Sequence, residues 1–138
     1  MVKTEFTRLE SEVLKWLLTG DEPVLALLRK QLASATNVVR NLTGQGFFLD
    51  FTIPPTVDKL HEKLQVRSDF CFGDVEAHVS ALRAGIGFLV CVKGGFLSYL
   101  EGYTYQEDWP TEIETFALRY RNGATRNWEA LRAQWETD

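Results

Sequence analysis

GIGFLVCVKGGFLSYLEGYTY, residues 85–105, holds two apolar runs on either side of Gly94-Gly95. A Gly-Gly pair supplies the positive φ values that a two-residue hairpin loop demands. Pairing outward from that loop sets Lys93 opposite Phe96, Val92 opposite Leu97, Val90 opposite Tyr99 and Phe88 opposite Glu101. One face then carries Ile86, Phe88, Val90, Val92, Leu97, Tyr99, Glu101 and Tyr103. The other carries Gly87, Leu89, Cys91, Lys93, Phe96, Ser98, Leu100 and Gly102. Both sets are mostly apolar, so the expectation is an interior hairpin covered on two sides.

Upstream, Phe6, Leu9, Val13, Trp16 and Leu17 recur at helical spacing and predict an amphipathic helix from about Thr4 to Leu18, with Lys3 on its polar side and Gly20 just past its end. Asp21 reads as the N-cap of a second helix, with Pro23 in its first turn, running to about Ala35. The period then changes to two. Asn37–Thr43 predicts a strand, Gly44-Gln45-Gly46 a turn, and Phe47, Leu49, Phe51 and Ile53 alternate with Phe48, Asp50 and Thr52 in the next strand. Pro54-Pro55 ends it. The segment to about Arg67 is loop-like, with one helical turn near Asp58–Leu64. Phe70 and Phe72 share one parity while Val75, Ala77 and Val79 share the other, which predicts a bulge at Gly73-Asp74.

Downstream, Ile113–Tyr120 reads as a last strand. Trp128, Leu131 and Trp135 form the stripe of a short terminal helix, which docks on its own domain or on a dimer partner. The whole is expected to be one α+β domain, residues 1–138, with two N-terminal helices packed on a predominantly antiparallel sheet of five or six strands and a short C-terminal helix.

Composition narrows the function. With 15 Lys+Arg against 19 Asp+Glu and a formal charge of −4, the chain lacks the basic face that phosphate neutralisation requires, so nucleic acid is not expected as a partner. Glu5, Glu10 and Glu12 interrupt the first twenty residues where a signal peptide would be apolar, and no run is long enough to span a bilayer. A cytoplasmic protein with no membrane partner is the expectation. Cys71 and Cys91 are the two cysteines. Each lies in an apolar run, so two buried free thiols are expected; a disulfide would require neighbouring strands, which spacing does not reveal.

Little in the chain is set up for chemistry. His61 and His78 have no partners at metal-ligand spacing, so neither a metal nor a cofactor is expected. A Cys91–His78 pair requires adjacent strands and an activated thiol, which apolar surroundings oppose. Glu101 is the one weak candidate for a catalytic acid or base: Phe88, Tyr99 and Tyr103 around it would desolvate it, and Asp50, Asp74 or Glu76 could approach. Against this stands a carboxylate bonded to a tyrosine hydroxyl or a backbone amide. A third reading is recognition. Tyr99, Tyr103, Tyr105 and Trp109 cluster with Glu101, Glu107 and Asp108, and aromatics mixed with acids suit a basic protein partner.

Several segments also resemble those of other proteins. TGDEPVLALLRKQLASA (19–35), TGQGFFLDFTIPP (43–55), FGDVEAHVSALRAGIGFLVCVKGGFLSYLEGYTY (72–105) and the Trp109-Pro110 pair resemble a family of small uncharacterised bacterial proteins with the pattern GDxPVL…TGxGFF…GDVxA…LEGxTY…WP. The likeness covers about residues 5–120 and leaves about 124–136 as a helical extension. It departs at Gly94-Gly95, where an Asp-Gly turn is usual, and at Gln106, where a glycine often stands. The resemblance implies a cytoplasmic bacterial α+β protein and brings no catalytic residues. The reading is therefore a non-catalytic module that binds a protein partner or a second copy of itself through Tyr99, Glu101, Tyr103, Tyr105 and Trp109. The alternatives are an immunity-type inhibitor of a bacterial toxin and a small enzyme or small-molecule binder that uses Glu101.

Overall fold

Two helices enter the fold first. The structure, a computed structural model, describes residues 5–123 and 125–136. Lys3 and Thr4, at the start of the expected first helix, lie outside that set, as does Ala124 at the start of the expected extension. Helix α1 spans Arg8–Leu17 and begins in a capping box: Thr7 Oγ1 accepts from Glu10 N–H, and Glu10 Oε1 accepts from Thr7 N–H. Helix α2 spans Pro23–Ala33, with Pro23 in its first turn. Its N-cap is Glu22, whose side chain makes no capping bond, not Asp21 as the sequence suggests. Pro23 contributes no N–H, so one fewer donor needs a cap.

Among the described residues, seven strands form one antiparallel sheet: β1 (Thr36–Leu42), β2 (Gly46–Thr52), β3 (Phe70–Phe72), β4 (Val75–His78), β5 (Ile86–Lys93), β6 (Phe96–Thr104) and β7 (Ala117–Tyr120). Their order is β1-β2-β6-β5-β4-β7, and β3 pairs with β5 in line with β4. The count exceeds the expected five or six because the single bulged strand read around Gly73-Asp74 is two short ones. The parity change acts as expected: Phe70, Phe72, Val75 and Ala77 are all buried. The final strand starts at Ala117 rather than Ile113. One 3₁₀ turn, Glu62–Leu64, interrupts the loop after β2.

The α-helices of the described residues lie on one side of the sheet. The residues α1 and α2 bury, among them Leu14, Leu17, Leu25 and Leu28, meet Leu49, Ile86, Phe88, Val90 and Leu100 of the sheet in a single core. Helix α3 (Trp128–Ala133) joins it through Leu131 and the following Trp135, whose ring packs edge-on against Phe72 at 5.3 Å. The tryptophan stripe thus docks on its own domain. Two buried polar side chains tie the layers. Arg126 forms a bidentate pair with Asp74 (2.6 and 2.9 Å) and donates to the carbonyls of Leu17 (2.6 Å) and Thr19 (2.7 Å) where α1 ends. Gln31 of α2 donates to the carbonyls of Asp58 and Gly95 (3.0 Å each) and accepts from the N–H of Leu97 (2.8 Å). Each is satisfied on every side it presents, which is the condition for burying such groups without a large penalty.

The central hairpin turns at Gly94-Gly95, both at positive φ, and pairs Lys93 with Phe96 and Val92 with Leu97 as the sequence predicts. Beyond that the register slips by one residue at Ser98. Tyr99 then opposes Cys91, Leu100 opposes Val90, Glu101 opposes Leu89 and Gly102 opposes Phe88. The expected pairs Val90–Tyr99 and Phe88–Glu101 do not form. Unbroken alternation would have turned Leu100 to solvent and Glu101 into the core, and burying an unpaired carboxylate is far costlier than a bulge. With the slip, Leu97 and Leu100 both face inward and Tyr99, Glu101 and Tyr103 all face outward. The hairpin is consequently covered on one side, not two. The free-thiol expectation is also overturned. Cys71 and Cys91 pair across β3 and β5 and form a disulfide, with Sγ atoms 2.05 Å apart, so no thiol is left at Cys91 to work with His78.

Candidate interaction face on the open side of the sheet

The outward row of β6 meets the outward rows of its neighbours residue by residue. Asp50 of β2 opposes Tyr99, Phe48 opposes Glu101 and Gly46 opposes Tyr103. On the other flank Cys91, Leu89 and Gly87 of β5 oppose the same three residues. Phe48 and Tyr99 meet edge-on with ring centroids 5.8 Å apart, and the Lys93 ammonium lies 5.6 Å from the Tyr99 ring centroid. Glu101 is flanked by Phe48 and Leu89 and half-exposed. Its carboxylate forms no hydrogen bond or ion pair with any described residue.

Tyr103 and Tyr105 close one end of this row, in an edge-on pair 5.6 Å apart. The Tyr103 ring lies flat over Gly87: a Cβ on that glycine would stand 2.5 Å from the ring's Cζ and 2.6 Å from its hydroxyl oxygen. Glycine at 87 is required for that close approach. Beyond it, Glu76 of β4 pairs with Arg119 (3.2 Å) and Arg121 (3.5 Å). Burial, helped by the nearby Tyr103 and Glu76, raises the Tyr105 phenol above its ordinary pKa. Phe48 remains 36 % exposed and Tyr105 42 %, large values for aromatic rings on a sheet.

Of the five residues expected to form a binding face, the fold brings together four. Tyr99, Glu101, Tyr103 and Tyr105 share the open side. Trp109 lies on the helix side, its ring edge-on against Phe47 at 5.2 Å and its backbone N–H donating to the Gly44 carbonyl. Phe47 in turn lies over Gly102, so Gly87 and Gly102 seat aromatic rings on opposite faces. Glu107, grouped with the acids in sequence, instead binds the backbone N–H groups of Arg83 (3.1 Å) and Ala84 (3.2 Å). Asp74 belongs to Arg126. Phe48, Leu89 and Gly87 are the members of the face that the sequence reading did not single out. The signal for Phe48 was present, because alternation in β2 already set it beside Asp50 on the polar side.

Trp109 lines a cleft of about 200 Å³ with Thr7, Arg8, Glu10, Arg40, Leu42 and Phe47. Arg40 holds Glu10 there with two bonds of 2.6 Å, and that pairing raises the Arg40 pKa further. Glu10 and Arg40 are therefore engaged with each other. Glu101 lines neither this cleft nor those beside Trp128, Arg29, Thr115 and Val57. Among the described residues, no group of three His, Cys, Asp or Glu side chains is arranged to hold a metal, and no helix is long and apolar enough to cross a membrane. No known protein-family model matches the chain, nor does any curated protein or any solved structure.

Proposed function

We propose that this protein is a non-catalytic binding module whose open sheet face takes a protein partner carrying a basic side chain. The observation that supports it is Glu101, a carboxylate without a described partner, set between Phe48, Tyr99 and Leu89 in mid-sheet. A lysine or arginine placed there would gain a charge-assisted bond to the carboxylate and stack against aromatic rings. On the same face Glu76 is matched by Arg119 and Arg121, and Lys93 lies over the Tyr99 ring, so Glu101 is the carboxylate left to a partner's cation. Rigid, half-exposed aromatics lose little side-chain entropy on association, the usual property of binding hot spots. The motif likeness to small bacterial proteins brings no residue role to this reading.

The test is capture from the native host on immobilised wild type and on Phe48→Ala and Glu101→Gln. A partner held by the wild type and lost by about tenfold or more in both variants, with thermal midpoints nearly unchanged, supports the proposal. A partner retained equally by all three would place the interface elsewhere and overturn it.

A further inference from the structure

The disulfide sits on the same open side. Phe70, Phe72, Val90 and Val92 point into the core, so the intervening Cys71 and Cys91 point outward. Their Cα atoms are 4.1 Å apart, the close spacing of a pair whose ladder hydrogen bonds belong to its neighbours. The two ends of the bond are unlike. Cys91 lies in β5, hemmed by β6, where Tyr99 is its cross-strand partner, and is 2 % exposed. Cys71 is exposed and lies in β3, a three-residue strand that pairs with β5 alone, because β7 joins the sheet only along β4.

Thiol–disulfide exchange proceeds by approach of a thiolate to one sulfur, in line with the bond to the other. The bond joins neighbouring strands, with Cys71 on the β3 side and Cys91 on the side of β6. In-line approach to the Cys91 sulfur would come over β6, through Tyr99. In-line approach to the Cys71 sulfur comes from beyond β3, where no described strand stands. We propose that Cys71–Cys91 is a directional thiol-exchange site, attacked at Cys71 by a small thiol or by the dithiol of a protein reductant. The incoming thiolate forms a bond to Cys71 Sγ while the Cys71–Cys91 bond breaks. Cys91 departs as the thiolate and takes a proton from solvent. A second thiol of the reductant then attacks the mixed disulfide, leaving Cys71 as a thiol and the reductant as a disulfide, so two electrons pass in all. The protein loses the covalent tie of β3, the strand that carries Phe70 and Phe72 against Trp135. An exposed disulfide of this kind is exchangeable in a way that a buried one is not.

The experiment is to treat the oxidised wild-type protein with millimolar glutathione in native buffer, alkylate free thiols and map both cysteines by mass spectrometry. Glutathione is expected on Cys71 and the alkyl group on Cys91, in about tenfold or greater excess over the reverse arrangement. Dithiothreitol should then reduce the bond fully without denaturant, and amide exchange at Phe70 and Phe72 should rise about tenfold or more while that at Leu49 and Leu100 stays unchanged. A bond that resists dithiothreitol until the protein is unfolded would overturn the proposal. Glutathione distributed evenly, or mainly on Cys91, would overturn its direction, and acceleration across the whole sheet would overturn the local tether.

Discussion

Tyr99 and Leu100 are neighbours in β6 and inhabit different molecules, in effect. Leu100 is fully buried against the helices, while Tyr99 stands half-exposed between Phe48 and Cys91 with a lysine over its ring. The sheet is amphipathic in the ordinary sense, but its outer face is aromatic where a plain solvent face would be charged. The difference teaches that the inner side specifies the fold and that the outer side is under different demands. Substitutions in the two rows should therefore separate stability from the binding proposed for the outer face.

The largest effect expected is on the inner row. Leu100→Ala should cost about 2–5 kcal/mol of stability in a denaturant titration, since it opens a cavity in a packed core. Tyr99→Ala, one residue away, should cost under about 1 kcal/mol. Equal losses would mean that the outer face is covered after all, and the comparison would collapse.

Next in size is Gln31→Leu. It leaves the Leu97 N–H without its partner where β6 departs from the expected register, and an orphaned buried donor costs about 1–3 kcal/mol. Amide exchange at Leu97 should rise as well. A neutral result would show that the bulge stands without help from α2.

The smallest effect is one of pH. The Tyr120 hydroxyl donates to the Trp16 carbonyl at 2.9 Å, and burial raises its pKa above the ordinary value near 10. The fold thus favours the neutral phenol. The resulting stabilisation is fully present below the unfolded value and is lost as pH rises through the folded one. Melting temperature measured from about pH 8 to about pH 11 should fall more steeply in the wild type than in Tyr120→Phe. Parallel curves would mean that this tyrosine is not coupled to folding.

Much of the architecture could be read directly. Helical spacing located α1, α2 and the tryptophan stripe, alternation located β2 to within a residue of its ends, and Gly94-Gly95 located the turn. The site was legible in part. Tyr99, Glu101, Tyr103 and Tyr105 are legible as a cluster, yet pairing outward from the turn puts the first three on the face of Phe88, on the wrong side of the sheet from where they lie. The signal against that assignment was Leu97 and Leu100, three apart in a strand and both needing burial, which only a bulge can satisfy. Trp109 groups with the tyrosines in sequence because it is near them along the chain. Its packing partner Phe47 lies on the opposite side of the sheet, and no local pattern carries that information.

The sequence by itself determined which elements form and which residues must be buried, because side-chain periodicity answers directly to burial. Tertiary structure alone decided the face on which the hairpin's second half displays its polar row, and that Cys71 meets Cys91. A turn propagates register only as far as the first irregularity. Here that irregularity lies at Ser98, beside an N–H taken by Gln31 from a helix far away in the chain, and the residues beyond it point where the packing of the whole domain requires.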